Sequence, residues 1–205
     1  MKLYYGTGSC SLSPHIALRE AGMAFDLVKV NLKIKEVEGG GDFNAISPKG
    51  YVPILELDDG TRLSEGVAMV QYIADQKPAL KLAPANSTMA RVQLQEWLNF
   101  ITSELHKGIG GFFNPLMAGT GAYAEAMKEK ALKRIAFVEN HLASTKQEYL
   151  LADGYSVADG YLFTCLRWAV GMTWDFAPYP HINAYMARVG ARPAVKAAMA
   201  AEGLV

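Results

Sequence analysis

The chain has 205 residues, 51% hydrophobic and 20% charged, proportions ordinary for packed globular protein and enough for one large domain or two small ones. Twenty basic residues balance twenty acidic ones, so no net field draws the chain to nucleic acid or to an anionic membrane. The start Met1-Lys2-Leu3-Tyr4-Tyr5-Gly6 lacks the apolar stretch of a signal peptide, and the most apolar run, Tyr161 to Met172, is short and carries Arg167. Cys10 and Cys165 lie far apart and make no disulfide framework, which fits a soluble cytoplasmic protein with free thiols.

In chain order, Lys2 to Tyr5 reads as a strand and Gly6-Thr7-Gly8-Ser9 as a turn. His15 to Ala21 is predicted as a helix, with Pro14 in its first turn and Gly22 as its stop. Leu27 to Asn31 reads as a second strand, and residues 32–50 as a long polar loop. Ile54 to Leu57 and Arg62-Leu63 form a hairpin around Asp58-Asp59-Gly60, and a helix over Glu65 to Asp75 closes the unit. Residues 78–87, with Pro78, Pro84, Asn86 and Ser87, read as a linker. Helices follow over Thr88 to about Met117, broken near Gly108, Gly110 and Gly111, then over Ala122–Ala143, Ser156–Met172, His181–Val189 and Pro193–Glu202. The expected organisation is an α/β domain over 1–77, a linker over 78–87 and an all-α domain over 88–205.

Cys10 falls between the first turn and the first helix, where unpaired N–H groups and a partial positive charge favour a thiolate. In Cys10-Ser11-Leu12-Ser13 a serine stands where a redox C-x-x-C pair would place its resolving cysteine. The site can therefore form a mixed disulfide with a small thiol but cannot cycle alone as a dithiol. Cys165, mid-helix among Leu162, Phe163, Leu166 and Trp168, reads as core. Val52-Pro53-Ile54 puts a proline before a strand, and Ser64-Glu65-Gly66 reads either as a simple helix cap or as a place to receive an ammonium and a carboxylate. Asn99, Ser103 and His106, spaced i, i+4 and i+7, share one helix face, and His106-Lys107 adds two cationic or proton-donating groups. Ser156-Val157-Ala158-Asp159 fits a capping box. No metal-ligand spacing stands out.

The order and spacing of these segments resemble a glutathione transferase of the bacterial, cysteine-containing beta class over essentially the whole chain. They are Met1–Tyr5 with Cys10-Ser11-Leu12-Ser13, Asn44–Pro53, Leu63–Ala68, Glu96–Asn99, Glu104–Lys107 and Ser156–Tyr161. The resemblance implies a thioredoxin-like domain that binds glutathione, an all-helical domain that forms most of the pocket for a hydrophobic electrophile, and a homodimer. It implies detoxification by conjugation, with thiol–disulfide exchange through Cys10 as a second activity and no metal. It places Cys10 beside the glutathione sulfur and His106 on the helical side. Lys35 would approach the glycyl carboxylate, Val52 the cysteinyl backbone, and Glu65 with Gly66 the γ-glutamyl end. Asn99, Ser103 and Lys107 would line the site. Many relatives of the family carry serine where this chain has Gly66, and Tyr5 stands where other classes place a catalytic tyrosine.

Overall fold

A computed structural model of the chain describes residues 1–115 and 121–205. It divides into two compact units, residues 1–83 with 192–205, and residues 84–191.

The first unit runs β1 (Lys2–Tyr5), α1 (Leu12–Glu20), β2 (Asp26–Asn31), β3 (Glu36–Val37), α2 (Phe43–Ile46), β4 (Ile54–Glu56), β5 (Arg62–Leu63) and α3 (Gly66–Asp75). The sheet order is β3-β2-β1-β4-β5, with β1 parallel to β2 and antiparallel to β4. Register pairs Leu3 with Leu27 and Leu55, and Tyr4 with Val28 and Ile54. Because side chains alternate along a strand, Tyr4, Val30, Val52 and Ile54 gather on one face with Phe43 and Val37. That cluster explains a departure from the sequence reading. The expected loop over 32–50 contains β3 and the single turn α2, whose Val37 and Phe43 plug this face.

On α1 every residue from Leu12 to Leu18 is buried, which an ordinary one-faced surface helix would not show. The cause lies at the other end of the chain. The last helix, α9 (Pro193–Ala201), packs on α1, which is also covered by α3. The expected division at 78–87 therefore differs from the structure in one respect: residues 192–205, grouped by sequence with the helical domain, fold into the first unit. Arg192 donates to both oxygens of Glu20, at 2.6 and 2.9 Å. The carboxylate of Glu202 reaches His15 and the N–H of Gly8.

The second unit contains α4 (Met89–Phe100), a π-helical turn (Ile101–His106), α5 (Lys107–Gly110), a 3-10 turn (Gly111–Phe113), α6 (Ala122–Thr145), α7 (Val157–Gly171) and α8 (Pro180–Gly190). The expected end of the long helix near Met117 lies outside the described residues. Helix α7 is the centre of this unit, with twelve buried residues from Val157 to Ala169, fully buried Cys165 among them. Its start is held as the capping box predicts, the Asp159 carboxylate accepting from the Ser156 N–H and hydroxyl at 2.7 and 3.0 Å. Asp159 also accepts from the Leu150 N–H and the Tyr185 hydroxyl, so one buried carboxylate ties α7 to α8 and to the loop before it. A mixed sheet of thioredoxin-like topology and a helical bundle are the two architectures present.

Candidate active site

In the first unit the chemistry gathers at the C-terminal end of β1 and the loops beside it. Cys10 is half-buried directly ahead of α1, and its Sγ donates to the Val52 carbonyl at 3.4 Å. The Val52–Pro53 peptide is cis. Ser13, in the resolving position, is buried with its hydroxyl unpartnered among the described residues. Tyr5 is buried too; burial, then the charges of Glu202 and Glu38, push its phenol above the usual range, so it stays protonated.

Lys35 adopts the left-handed conformation, φ 57°, and its Nζ donates to the Gly50 carbonyl at 2.6 Å. Helix α3 begins one residue later than expected, with Glu65 and not Ser64 at its cap position. The Glu65 side chain does not cap: its Oε1 accepts from Lys49 at 2.5 Å and from the Tyr51 hydroxyl at 3.2 Å. The first-turn N–H groups of α3 thus receive no bond from that carboxylate. Lys49 and Tyr51 escaped the sequence reading as neighbours of Glu65, because the loop that brings them there is shaped by α2. A Cβ built on Gly66 meets only Pro53 Cγ, at 3.9 Å, an ordinary contact.

In the second unit the helix widens at Ile101–His106, so Asn99, Ser103 and His106 do not form the regular α-helical stripe that their spacing predicts. Ser103 is exposed and donates to the Asn99 carbonyl at 2.9 Å, as a serine one turn on often does. Lys107 is exposed beside it. His106 turns inward. Its Nδ1 lies 2.6 Å from the Tyr161 hydroxyl, and its ring meets Trp168 edge to face, centroids 5.0 Å apart. Burial in this aromatic setting, with Lys107 adding like charge, lowers the imidazole to about 4. Of the two roles open to His106, cation or donor, this favours the neutral form near pH 7, which still donates through one ring nitrogen. Phe113 packs on Trp168 and Phe112 on Trp174, at 5.5 and 5.2 Å, giving the unit an aromatic wall beside His106.

Among the described residues no three His, Cys, Asp or Glu side chains are grouped to hold a metal, and no helix is long and apolar enough to cross a membrane.

A cysteine at the mouth of α1 in a thioredoxin-like unit, followed by a helical unit, is the arrangement of a glutathione transferase, and the comparisons agree. The family model for the glutathione S-transferase N-terminal domain matches residues 7–76, and that for the C-terminal domain matches residues 94–193. The chain belongs to the glutathione S-transferase family. It is 44% identical over 205 residues to glutathione S-transferase GstA of Escherichia coli O157:H7, covering 100% of both chains. Among solved structures it is similar to BphK, a bacterial GST seen in a ternary complex, at 50% identity and TM-score 0.94 over 100% of both chains. The bacterial beta class glutathione S-transferase of Sphingomonas chungbukensis matches at 43% identity and TM-score 0.93, again over 100% of both. Within the family, the likeness is to bacterial beta-class enzymes.

Proposed function

We propose that this transferase joins the sulfur of glutathione to small hydrophobic electrophiles, and that Cys10 and His106 carry its chemistry. The observation that supports this best is Cys10 at the N-terminal entrance of α1, its Sγ 3.4 Å from the Val52 carbonyl. An extended tripeptide would pair with the Val52 backbone like an added strand, its cysteinyl sulfur beside Cys10. Lys35 would exchange the Gly50 carbonyl for the glycyl carboxylate, and Glu65 would exchange Lys49 for the γ-glutamyl ammonium. The N–H of Gly66, in the first turn of α3, is suited to the γ-glutamyl carboxylate.

The glutathione thiol loses its proton to solvent, and the thiolate attacks the electrophile. With an aryl halide a C–S bond forms, the carbon–halogen bond breaks and halide leaves. The neutral His106 would serve such a step as a hydrogen-bond donor, not by supplying charge. Asn99, Ser103 and Lys107 add polar lining. A homodimer, a cytoplasmic setting and a role in detoxification complete the reading; exposed Met89, Val92 and Phe137 on the second unit are apolar side chains that a partner copy would cover. Mixed-disulfide exchange at Cys10 is a secondary activity, since Ser13 cannot resolve the disulfide.

The test is glutathione saturation kinetics on wild type, Lys35→Ala and Glu65→Gln. Each variant is expected to raise the KM for glutathione about tenfold, the loss of one charged hydrogen bond. An unchanged KM in both would overturn this placement of the tripeptide.

A further inference from the structure

Within the second unit the Tyr161 hydroxyl lies between Thr102 and His106. Thr102 Oγ1 lies 2.9 Å from the Leu98 carbonyl and 3.4 Å from the Tyr161 hydroxyl. Thr102 has one proton, and the shorter contact assigns it to Leu98. The Tyr161 hydroxyl lies 2.6 Å from His106 Nδ1. A phenol is a stronger hydrogen-bond donor than a neutral imidazole N–H, and an imidazole nitrogen is a better acceptor than a phenolic oxygen. The short contact therefore runs from the Tyr161 O–H to Nδ1. A neutral imidazole carries one proton, which this bond leaves on Nε2.

The surroundings hold both rings in this relation. Tyr161 is 6% exposed on α7, five residues from the Ser156 cap and two from the buried Asp159 carboxylate that anchors the helix start. The π-helical turn carries Thr102 and His106 together, so the same widening of the helix supplies both polar neighbours of the Tyr161 hydroxyl. His106 meets Trp168 edge to face on α7, and Gly110 leaves room for the pair: a Cβ there would approach Trp168 Cζ3 at 3.3 Å and His106 Cδ2 at 3.4 Å. The charged neighbour in sequence, Lys107, is exposed.

We propose that Tyr161 is a positioning residue that fixes His106 as its Nε2–H tautomer, so that the imidazole presents a hydrogen-bond donor and not a base. This rests on the reading above, in which His106 serves conjugation as a donor. In the sequence Tyr161 stood only at the end of a segment that carries the family resemblance and at the start of the most apolar run; the fold gives it a separate task. In this role Tyr161 acts through the ring that it orients.

The test separates the tautomer from the activity. In 15N-labelled wild type, two-bond nitrogen–proton correlation spectra are expected to show His106 Nδ1 as the unprotonated, pyridine-like nitrogen and Nε2 as protonated. In Tyr161→Phe, which keeps the ring, the two nitrogens are expected to move toward averaged positions. Turnover should fall about tenfold, the weight of one hydrogen bond in the transition state, with KM for glutathione within about twofold. In a His106→Ala background the same Tyr161→Phe change should cost nothing further, because both act as one unit. Identical nitrogen shifts in wild type and Tyr161→Phe, or a wild-type Nδ1–H tautomer, would overturn the proposal. Full turnover in His106→Ala with the expected shifts would instead sink the catalytic reading of His106 and leave the tautomer assignment standing.

Discussion

Replacing Glu202 with alanine tests how the end of the chain supports its beginning. The Glu202 side chain is 0% exposed; Oε1 lies 2.8 Å from His15 Nδ1, and Oε2 accepts from the Gly8 N–H at 2.8 Å. Arg19 Nε donates to His15 Nε2 at 2.9 Å, so His15 offers its proton at Nδ1 to the carboxylate. Glu202→Ala takes the acceptor from the fully buried His15 Nδ1–H, which costs about 1–3 kcal/mol, and from the half-exposed Gly8 N–H, which costs less. The expected loss is about 3 kcal/mol, which for a chain of this size lowers Tm by roughly 6–12 °C. Glu202→Gln keeps an acceptor for His15 but turns an NH2 toward the Gly8 N–H, so it should fall between. The two Arg192–Glu20 contacts keep α9 docked, so the change reports the carboxylate and not release of the helix. Differential scanning calorimetry at equal protein concentration is the assay, paired with the rate at which a haloacetamide alkylates Cys10, two residues from Gly8. A Glu202→Ala midpoint within about 2 °C of wild type would refute the reasoning, since no cost of this size could be hidden in so small a shift.

Three further outcomes are expected. Since the fold lowers His106 from 6.5 to about 4, the neutral form is favoured in the native state. Its contribution to stability is full above pH 6.5 and lost as pH falls toward and through 4. The His106 Cε1 proton resonance should hold still from pH 8 to about pH 5.5, and a midpoint near 6.5 would contradict the burial argument. Gly66→Ser adds a hydroxyl where its Cβ meets only Pro53 Cγ at 3.9 Å, so the fold should be kept and KM for glutathione should drop about two- to tenfold; a raised KM would refute this. Asp159→Ala strands three donors around one buried carboxylate, the Tyr185 hydroxyl keeping the Asp159 carbonyl at 3.2 Å, and should cost about 3–5 kcal/mol in urea unfolding, with Asp159→Asn losing less; a loss under 1 kcal/mol in Asp159→Ala would show the network to be dispensable.

What the sequence revealed was what short-range patterns encode. The strand at Lys2–Tyr5, the Asp-Gly hairpin and the Ser156–Asp159 box each carry their signal within a few residues, and each forms. β3 and α2 stayed hidden, because a two-residue strand and a single helical turn have no period of their own and exist only through Val37 and Phe43 in the sheet core. His15 was read only as the start of the first helix; its partner Glu202 is 187 residues away, a distance at which no local pattern speaks. His106 was legible as a candidate by residue type and position, whereas its charge state was not. A lone histidine followed by lysine suggests positive charge, and only burial against Trp168 and the hydroxyl of Tyr161 makes it neutral. Gly66 was readable as a departure from the family pattern, but that the site has room for a side chain there could come only from the neighbouring Pro53.

The central claim is that this chain uses the glutathione sulfur as its nucleophile with Cys10 beside it. The most direct measurement is initial-rate conjugation of an activated aryl halide, with and without glutathione, on wild type and Cys10→Ala. The account predicts glutathione-dependent halide release by the wild type and an altered rate in the variant. Binding of glutathione with no conjugation across a panel of electrophiles would contradict it.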